Sequence, residues 1–86
     1  MNFLIITIYS TTTCPYCRLL KEYLEEKGTD FTEKLIDVDE DARQQMEKES
    51  GGFLGVPFVV INKDDGTKET VVGFDKGRIN QVLGLD

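Results

Sequence analysis

Hydrophobic residues change their spacing along the chain, and each change marks a boundary between two predicted elements. Residues 3–9 form a nearly continuous apolar run rich in β-branched side chains. That pattern predicts a strand covered on both faces. Four small hydroxyl residues then interrupt the run, and over residues 15–27 the apolar positions recur three or four apart. This second pattern predicts an amphipathic helix with Leu20 and Leu24 on its inner side and Leu19 beside them.

The middle of the chain repeats the order of strand and helix. Residues 31–38 become apolar towards their end and predict a second strand. Asp39 is a predicted N-cap, and a helix with a thin apolar stripe of Ala42 and Met46 is expected to run to about Ser50. A strand, a helix and a second strand in succession imply a right-handed parallel unit.

The last third of the chain predicts a hairpin followed by a helix. Residues 51–55 form a glycine-rich connector, and residues 58–61 form a strongly strand-like run. Asp65-Gly66 is a hairpin turn signal, so the return strand is expected at residues 68–72. Asp75 is suited to cap the last helix. The inner face of that helix is formed by Ile79, Val82 and Leu83.

The predicted order βαβαββα defines the fold class. It implies an α/β fold with a mixed four-stranded sheet and three helices distributed over both faces. The 86 residues suit one small domain, expected to extend over residues 1–86 without an internal repeat. A chain this short buries only about 60% of the surface that it exposes when unfolded, so its core is modest.

Acidic residues outnumber basic ones by 16 to 10, and the formal net charge is −6. A protein that binds nucleic acid needs a basic face, so we expect no nucleic-acid partner. The acidic residues are expected to lie on solvated helix faces that keep the protein soluble. We also expect a monomer.

Neither a membrane span nor a signal peptide is predicted. No stretch of the chain is long enough to cross a bilayer. The apolar N-terminal residues lack the basic leader and the small-residue cleavage site of a secretory signal. We therefore expect no membrane partner and a location in the reducing cytoplasm.

The only two cysteines, Cys14 and Cys17, lie in the sequence Cys-Pro-Tyr-Cys at the first predicted strand–helix junction. A disulfide between them would close almost no loop and would therefore add little stability. A secreted domain of this size would need more such bridges. The pair is thus expected to react rather than to brace the fold.

The position of Cys14 predicts a reactive thiolate. Because it precedes a proline, Cys14 is biased away from helical dihedrals and is expected to cap the first helix. Free amides and the positive end of the helix dipole favour an anion there. Such settings lower a cysteine pKa from about 8.5 to between about 3.5 and 7.5. Cys17 follows one helical turn later, near the ~5.5 Å Cα separation of a disulfide. We predict that Cys14 attacks a substrate disulfide and that Cys17 resolves the mixed disulfide.

Three other interpretations of the cysteine pair stay open at this point. A mononuclear zinc site needs about four ligands, and this chain has no histidine and only two cysteines. An iron–sulfur cluster bridged between two chains, with cysteines or a thiol cofactor as ligands, is compatible with the pair. Two inert structural cysteines are the third interpretation. The junction of strand and helix favours the redox interpretation.

Four short motifs stand in a characteristic order: Ile8-Tyr9-Ser10, Cys14-Pro15-Tyr16-Cys17, Val56-Pro57 and Gly73-Phe74-Asp75. In order and spacing they resemble the glutaredoxin family, which has the thioredoxin fold, and the resemblance covers essentially the whole chain. It implies a cis Val56-Pro57 bond against the cysteine pair, with the Val56 backbone free to hydrogen-bond a thiol substrate. Sequence alone would give an X-Pro bond only about a 5% chance of being cis, and Pro57 could simply open a strand.

The resemblance also implies a glutathione site. Family members bind glutathione through a basic residue three before the first cysteine, the motif tyrosine, a basic or amide side chain of the second helix, the valine backbone and an aspartate after the last strand. The corresponding residues and their motif neighbours are Tyr16, Arg43, Val56, Pro57, Gly73, Phe74 and Asp75. Glutathione is then expected as a co-substrate, with no tightly bound cofactor. Arg43 could instead be a solvated helix residue, and Asp75 a plain helix cap.

Two departures from the family pattern affect the expected electron donor. Thr11 stands where the family has a basic residue, and the connector at residues 51–55 is about one residue longer than usual. Gly73-Phe74 also resembles glutaredoxin-like electron donors of ribonucleotide reductase, which thioredoxin reductase reduces, although their cysteine motif usually differs. The sequence predicts a thiol–disulfide oxidoreductase for protein or glutathione mixed disulfides. Its expected electron donor is glutathione or, alternatively, thioredoxin reductase.

Overall fold

The computed structural model describes residues 4–84, and within them the elements follow the predicted order βαβαββα. The strands are β1 (Leu4–Ser10), β2 (Thr32–Leu35), β3 (Phe58–Lys63) and β4 (Lys68–Val72). The helices are α1 (Pro15–Glu26), α2 (Glu40–Ser50) and α3 (Lys76–Leu83). Phe3, with which the first strand was predicted to begin, lies outside the described residues.

The sheet is mixed, with the strand order β2-β1-β3-β4. β1 and β2 are parallel, whereas β1 pairs with β3 and β3 with β4 in antiparallel fashion. Tyr9 pairs with Phe58, Phe58 pairs with Val72, and on the other side of β1 Ser10 pairs with Leu35. The last residues of β1, β2 and β4 and the first residue of β3 therefore lie side by side at one end of the strands. We call this end the site end of the sheet.

The larger core lies between the sheet and the helices α1 and α3. Its buried members alternate along the strands and recur at helical spacing in α1 and α3, as the sequence pattern predicts. They are Ile6, Ile8, Leu20, Leu24, Val59, Ile61, Val71, Ile79 and Val82. Full burial of each such side chain contributes roughly 1.5–3 kcal/mol of transfer free energy, so this face supplies most of the hydrophobic stabilisation.

The smaller core lies on the opposite face, beneath α2. Its buried members are Tyr9, Met46, Phe58 and Val60. Ala42 and Met46 are the buried residues of α2, as predicted from its thin apolar stripe. Ile5 lies on the same face of β1 as Tyr9 but is 54% exposed. The expected burial of β1 on both faces is therefore met only near its site end.

One sequence expectation at an element edge is wrong in detail. β2 ends at Leu35 rather than Val38, because the Asp39 amide donates to the Leu35 carbonyl (3.0 Å) and turns the chain into α2. Val38 is consequently 70% exposed. Leu19 was predicted beside the buried stripe of α1, and it is 45% exposed because it is rotated about 100° away from Leu20 around the helix axis.

The predicted turns and caps are present. Gly66 adopts φ +89° in the β3–β4 hairpin, where the Lys63 amide donates to the Thr67 carbonyl at 2.9 Å. Positive φ is the conformation for which this turn requires glycine. Asp39 accepts hydrogen bonds from the amides of Asp41 and Ala42 at the start of α2. The Gly66 turn sets the β3–β4 hairpin, and the Asp39 cap sets where α2 begins.

Candidate redox site

The cysteine pair lies at the junction between β1 and α1, at the site end of the sheet. Cys14 is the N-cap of α1, with extended dihedrals (φ −89°, ψ 110°), and Pro15 occupies the first helical turn. Cys14 and Cys17 form a disulfide with a Cα–Cα distance of 5.2 Å. The Cys17 amide donates to Cys14 Sγ at 3.1 Å. The cap conformation and the one-turn separation are those that the sequence predicts.

The two cysteines differ in their access to solvent. Cys17 is 1% exposed, and its neighbour Leu20 is fully buried. Cys14 is half-buried at the surface. A disulfide-bearing substrate can therefore reach Cys14, whereas Cys17 can be reached through Cys14. This asymmetry fits a nucleophile followed by an intramolecular resolving thiol.

The loop that carries Cys14 is fixed to the end of β2. Both the amide and the hydroxyl of Thr12 donate to the Asp37 carboxylate, at 3.0 and 2.6 Å. These hydrogen bonds lower the pKa of Asp37, the side-chain bond from Thr12 contributing most. They connect the cysteine loop, two residues before Cys14, to the turn before α2.

A polar cluster lies beneath the cysteine loop. Ser10 is fully buried, and its hydroxyl donates to Glu33 Oε2 at 2.7 Å. Lys21 Nζ lies 2.8 Å from the same oxygen. Burial alone would raise the pKa of Glu33, but the hydrogen bonds from Lys21 and Ser10 and the Lys21 charge together lower it. Glu33 is therefore held as a carboxylate whose charge Lys21 balances.

A groove of about 410 Å³ runs from the cysteines along α1 towards β2. We call it the α1 groove. Among the residues that line it are Thr11, Thr12, Thr13, Cys14, Cys17, Arg18, Lys21 and Glu33. A group attached to the Cys14 sulfur could extend into this groove.

Two further loops reach the site end from β3 and β4. The Val56–Pro57 peptide bond is cis, as the family resemblance implies. The Gly73 amide donates to the Pro57 carbonyl at 2.8 Å, and Gly73 adopts φ +77°. Because Phe58 pairs with both Tyr9 and Val72, these loops leave the sheet at the same end as the cysteine loop.

The other predicted glutathione contacts have different environments. Tyr16 is 63% exposed beside the cysteines. Arg43 forms ion pairs with Glu40 and Glu47 of its own helix, and these raise its pKa. Phe74 packs edge-on against Tyr23, with ring centroids 6.0 Å apart, next to the larger core.

Asp75 has one function assigned by the structure. Its Oδ1 accepts a hydrogen bond from the Arg78 amide at 3.0 Å and so caps α3. The residue is exposed, which leaves room for a substrate contact at the same carboxylate. The cap and the proposed glutathione contact are therefore compatible.

Sequence reasoning did not identify Arg18, Lys21, Glu33 or Asp37 as neighbours of the cysteines. Arg18 and Lys21 lie four residues after Cys14 and Cys17, so helical spacing could have placed them on the same side of α1. Glu33 and Asp37 could not be placed without the parallel register of β1 and β2. Fold topology, rather than a local motif, brings these two carboxylates to the site.

The structure shows neither a metal-binding cluster nor a membrane span within residues 4–84. No group of three or more histidine, cysteine, aspartate or glutamate residues in that range is arranged to hold a metal ion. None of the helices there is both long and apolar enough to cross a membrane.

A cysteine pair with one half-buried and one buried member, at a strand–helix junction on the same sheet end as a cis-proline, defines a dithiol redox site. Solved structures show which fold presents it. The crystal structure of the thioredoxin-like protein BC3987 matches with a TM-score of 0.75 and 29% identity, over 91% of this chain and 99% of that one. The glutaredoxin-like protein NrdH-redoxin from Escherichia coli matches with a TM-score of 0.72 and 26% identity, over 91% and 93% of the two chains. The predicted thioredoxin-like fold is thus confirmed.

Sequence relatives assign the family. A sequence model described as Glutaredoxin matches residues 6–65. A glutaredoxin-like 8.6 kDa protein of the rubredoxin operon in Clostridium pasteurianum, itself uncharacterized, is 41% identical over 91% of this chain and 96% of its own length. Glutaredoxin 3 of Escherichia coli is 44% identical over 66% of this chain and 68% of its own length. The chain therefore belongs to the glutaredoxin family of thiol–disulfide oxidoreductases.

Proposed function

We propose that this protein reduces disulfides through a dithiol mechanism in which Cys14 is the nucleophile and Cys17 the resolving thiol. The observation that carries the proposal is the asymmetry of the pair. Cys14 caps α1 at the surface, and Cys17 is buried one turn further on. Backbone amides and the helix dipole favour the thiolate form of a cysteine at such a cap.

The reaction is a two-step exchange that conserves sulfur and electrons. The Cys14 thiolate attacks one sulfur of the substrate disulfide, releases the other as a thiolate and becomes a mixed disulfide. Cys17 then loses its proton to solvent, attacks Cys14 Sγ and releases the second substrate thiolate. The two electrons that reduce the substrate come from the cysteine pair, which ends as the Cys14–Cys17 disulfide.

Glutathione mixed disulfides and protein disulfides are the proposed substrates. The family supports glutathione as co-substrate, and the proposed contacts are Tyr16, the Val56 backbone and Asp75. Pro57, Gly73 and Phe74 would act by shaping the two loops rather than by polar contact. Arg43 would take part only by exchanging Glu40 and Glu47 for a glutathione carboxylate.

A second candidate electron donor is thioredoxin reductase. Thr11 supplies no positive charge where the family binds a carboxylate, and Arg43 is already paired with two carboxylates. The structural neighbour NrdH-redoxin has a thioredoxin-like activity profile by its own description. These observations favour testing a redoxin that receives electrons from thioredoxin reductase and passes them to ribonucleotide reductase.

One experiment separates the two donors. The oxidised protein is incubated either with glutathione or with thioredoxin reductase and NADPH, and free thiols are then titrated over time. We expect glutathione to reduce the Cys14–Cys17 disulfide. Reduction by the reductase alone would overturn the glutathione assignment while leaving the dithiol mechanism intact. A control lacking any donor measures background reduction.

The proposed setting is a reducing compartment such as the cytoplasm, where the pair can cycle without a tightly bound cofactor. Bridging of an iron–sulfur cluster by two chains is the competing proposal from another class. Anaerobic purification distinguishes them. A colourless monomer agrees with the redox proposal, whereas a coloured dimer that contains iron and sulfide would contradict it.

A further inference from the structure

Arg18 is a cation without a partner beside the proposed nucleophile. Its side chain lines the α1 groove. Within residues 4–84 it forms neither an ion pair nor a side-chain hydrogen bond, whereas Lys21, Arg43, Lys68 and Arg78 each pair with a carboxylate. The residue is exposed, so a substrate can reach the guanidinium.

The other two charged residues that line the α1 groove balance each other. Lys21 lies 2.8 Å from Glu33, which also accepts the Ser10 hydroxyl. Asp37, in the turn before α2, accepts both the amide and the hydroxyl of Thr12 and keeps its negative charge, but it is not among the residues that line the groove. Among the residues that line the groove, Arg18 therefore supplies the uncompensated charge, and it favours an anionic occupant.

The helix fixes Arg18 close to Cys14. The Arg18 amide donates to the Cys14 carbonyl at 3.3 Å, so the two residues are one turn apart on the same side of α1. A substrate half bonded to Cys14 Sγ and directed along α1 would bring a carboxylate two or three bonds from its sulfur within reach of the guanidinium. Arginine binds carboxylates through two parallel N–H···O bonds, which gives direction as well as charge.

We infer that Arg18 is a specificity-determining residue that selects disulfides carrying a carboxylate near the reacting sulfur. The inference rests on the proposed dithiol function and names the class of substrate half that Cys14 accepts. It places the anion-binding group on α1, next to the nucleophile. That position differs from Thr11, which is neutral, and from Arg43, whose charge Glu40 and Glu47 compensate.

Three small disulfides with similar reacting sulfurs test the inference. They are the anionic 3,3′-dithiodipropionate, the neutral 2-hydroxyethyl disulfide and the cationic cystamine. Stopped-flow mixing of each with the pre-reduced protein gives a second-order rate constant without a donor enzyme. The measured quantity is the ratio of the anionic to the neutral rate constant, because a change in Cys14 reactivity alone would move both equally.

In Arg18→Gln we expect the ratio of the anionic to the neutral rate constant to fall about two- to five-fold, the range of an exposed ion pair. The ratio of the cystamine to the neutral rate constant should rise. Arg18→Lys should retain most of the wild-type ratio because it keeps the charge. Salt at 0.5 M should reduce the wild-type preference, since the pair is screened. The matched control is Lys48→Gln, which removes one positive charge from the exposed last turn of α2, and it should leave the ratio unchanged.

Several results would overturn the inference. An unchanged ratio in Arg18→Gln, or an equal fall in Lys48→Gln, would show that Arg18 does not select charge locally. Equal losses with all three disulfides would assign Arg18 to thiolate reactivity instead. Failure of the wild-type protein to react with any of the three would overturn the proposed function, and this inference with it.

Discussion

The two faces of the sheet are built differently, although both have helices. The face covered by α1 and α3 holds the larger core, and it also holds Cys17, Ser10 and Glu33 in buried or half-buried positions. The face covered by α2 holds four buried residues in its core. Its charged contacts, such as Arg43 with Glu40 and Glu47, lie at the protein surface.

The difference in packing suits two different tasks. The α1 face can hold the reacting groups at fixed distances, whereas the α2 face can adapt more easily to a bound molecule. A resolving thiol must stand at a set distance from the nucleophile, and close packing around α1 provides that. The α2 face has fewer apolar contacts, and beside it Phe53 and Val72 are exposed. Regions with few buried contacts open at lower free energy than a densely packed core. We therefore expect substitutions on the α1 face to affect stability and chemistry more than those on the α2 face.

The largest effect is expected from Cys14, the solvent-accessible member of the cysteine pair. Cys14→Ser should reduce disulfide exchange to the uncatalysed rate, while serine, a favoured N-cap, keeps α1 intact. Cys17→Ser should stop reduction of protein disulfides but retain removal of glutathione from mixed disulfides, which needs only Cys14. Single-turnover assays and thermal unfolding of each variant measure the two effects. Full activity of Cys14→Ser would reverse the assigned roles.

The two cores can be compared directly by truncation. Leu24→Ala in the larger core should lower the free energy of unfolding by about 3–5 kcal/mol, and Met46→Ala in the smaller core by about 2 kcal/mol. Both side chains are fully buried, so exposure does not account for the difference. Urea unfolding of both oxidised variants provides the measurement. An equal or larger loss for Met46→Ala would contradict the contrast between the faces.

Glu33 should make stability depend on acid pH. Its pKa in the folded protein lies below the ordinary value of 4.5, so its contribution is present above that value and is lost as the pH falls through the folded pKa. Glu33→Gln should lower the free energy of unfolding by about 1 kcal/mol at pH 7, and the difference from wild type should shrink as the pH falls below 4.5.

A matched substitution on the other face provides the control for that titration. Lys34 is the next residue of β2, and its Nζ bonds to Gln45 of α2. Lys34→Gln should change the free energy of unfolding by a similar amount at pH 3 and pH 7, because the contact involves no carboxylate. If the free energy of unfolding of Glu33→Gln depends on pH in the same way as that of the wild type, other acidic groups are responsible for the dependence.

The smallest effect is expected at Arg43. Its ion pairs on α2 lie at the surface, so Arg43→Gln should lower the free energy of unfolding only slightly, and less in 0.5 M salt. Because Glu40 and Glu47 already engage the Arg43 guanidinium in the wild-type protein, Arg43→Gln should change the KM for a glutathione mixed disulfide by less than about two-fold. A larger rise in KM without a loss of stability would assign Arg43 to the glutathione site.

Local patterns accounted for most of the fold. Continuous apolar runs predicted the strands, and apolar residues three or four apart predicted the helices. Together with the Asp39, Gly66 and Asp75 signals, these patterns predicted the order of elements and most of their boundaries. The end of β2 was predicted wrongly, because the apolar Val38 is 70% exposed in the turn before α2.

Much of the candidate site also followed from sequence. Cys14 and Cys17 were predicted at a helix cap and one turn along it, because both features depend on residues close in the chain. The polar cluster could not be predicted in this way. Glu33 reaches Ser10 and Lys21 only because β2 pairs in parallel register with β1.

The sequence by itself determined the two reactive sulfurs, their spacing and the helix that presents them, since short-range backbone preferences govern all three. Tertiary structure alone decided which sulfur is buried, which loops meet at the site end, and which cations already have partners. Those properties depend on residues far apart in the chain being brought together. Arg18 and Arg43 illustrate the point, because within the described residues 4–84 Arg18 has no carboxylate partner, whereas Arg43 is held by two carboxylates.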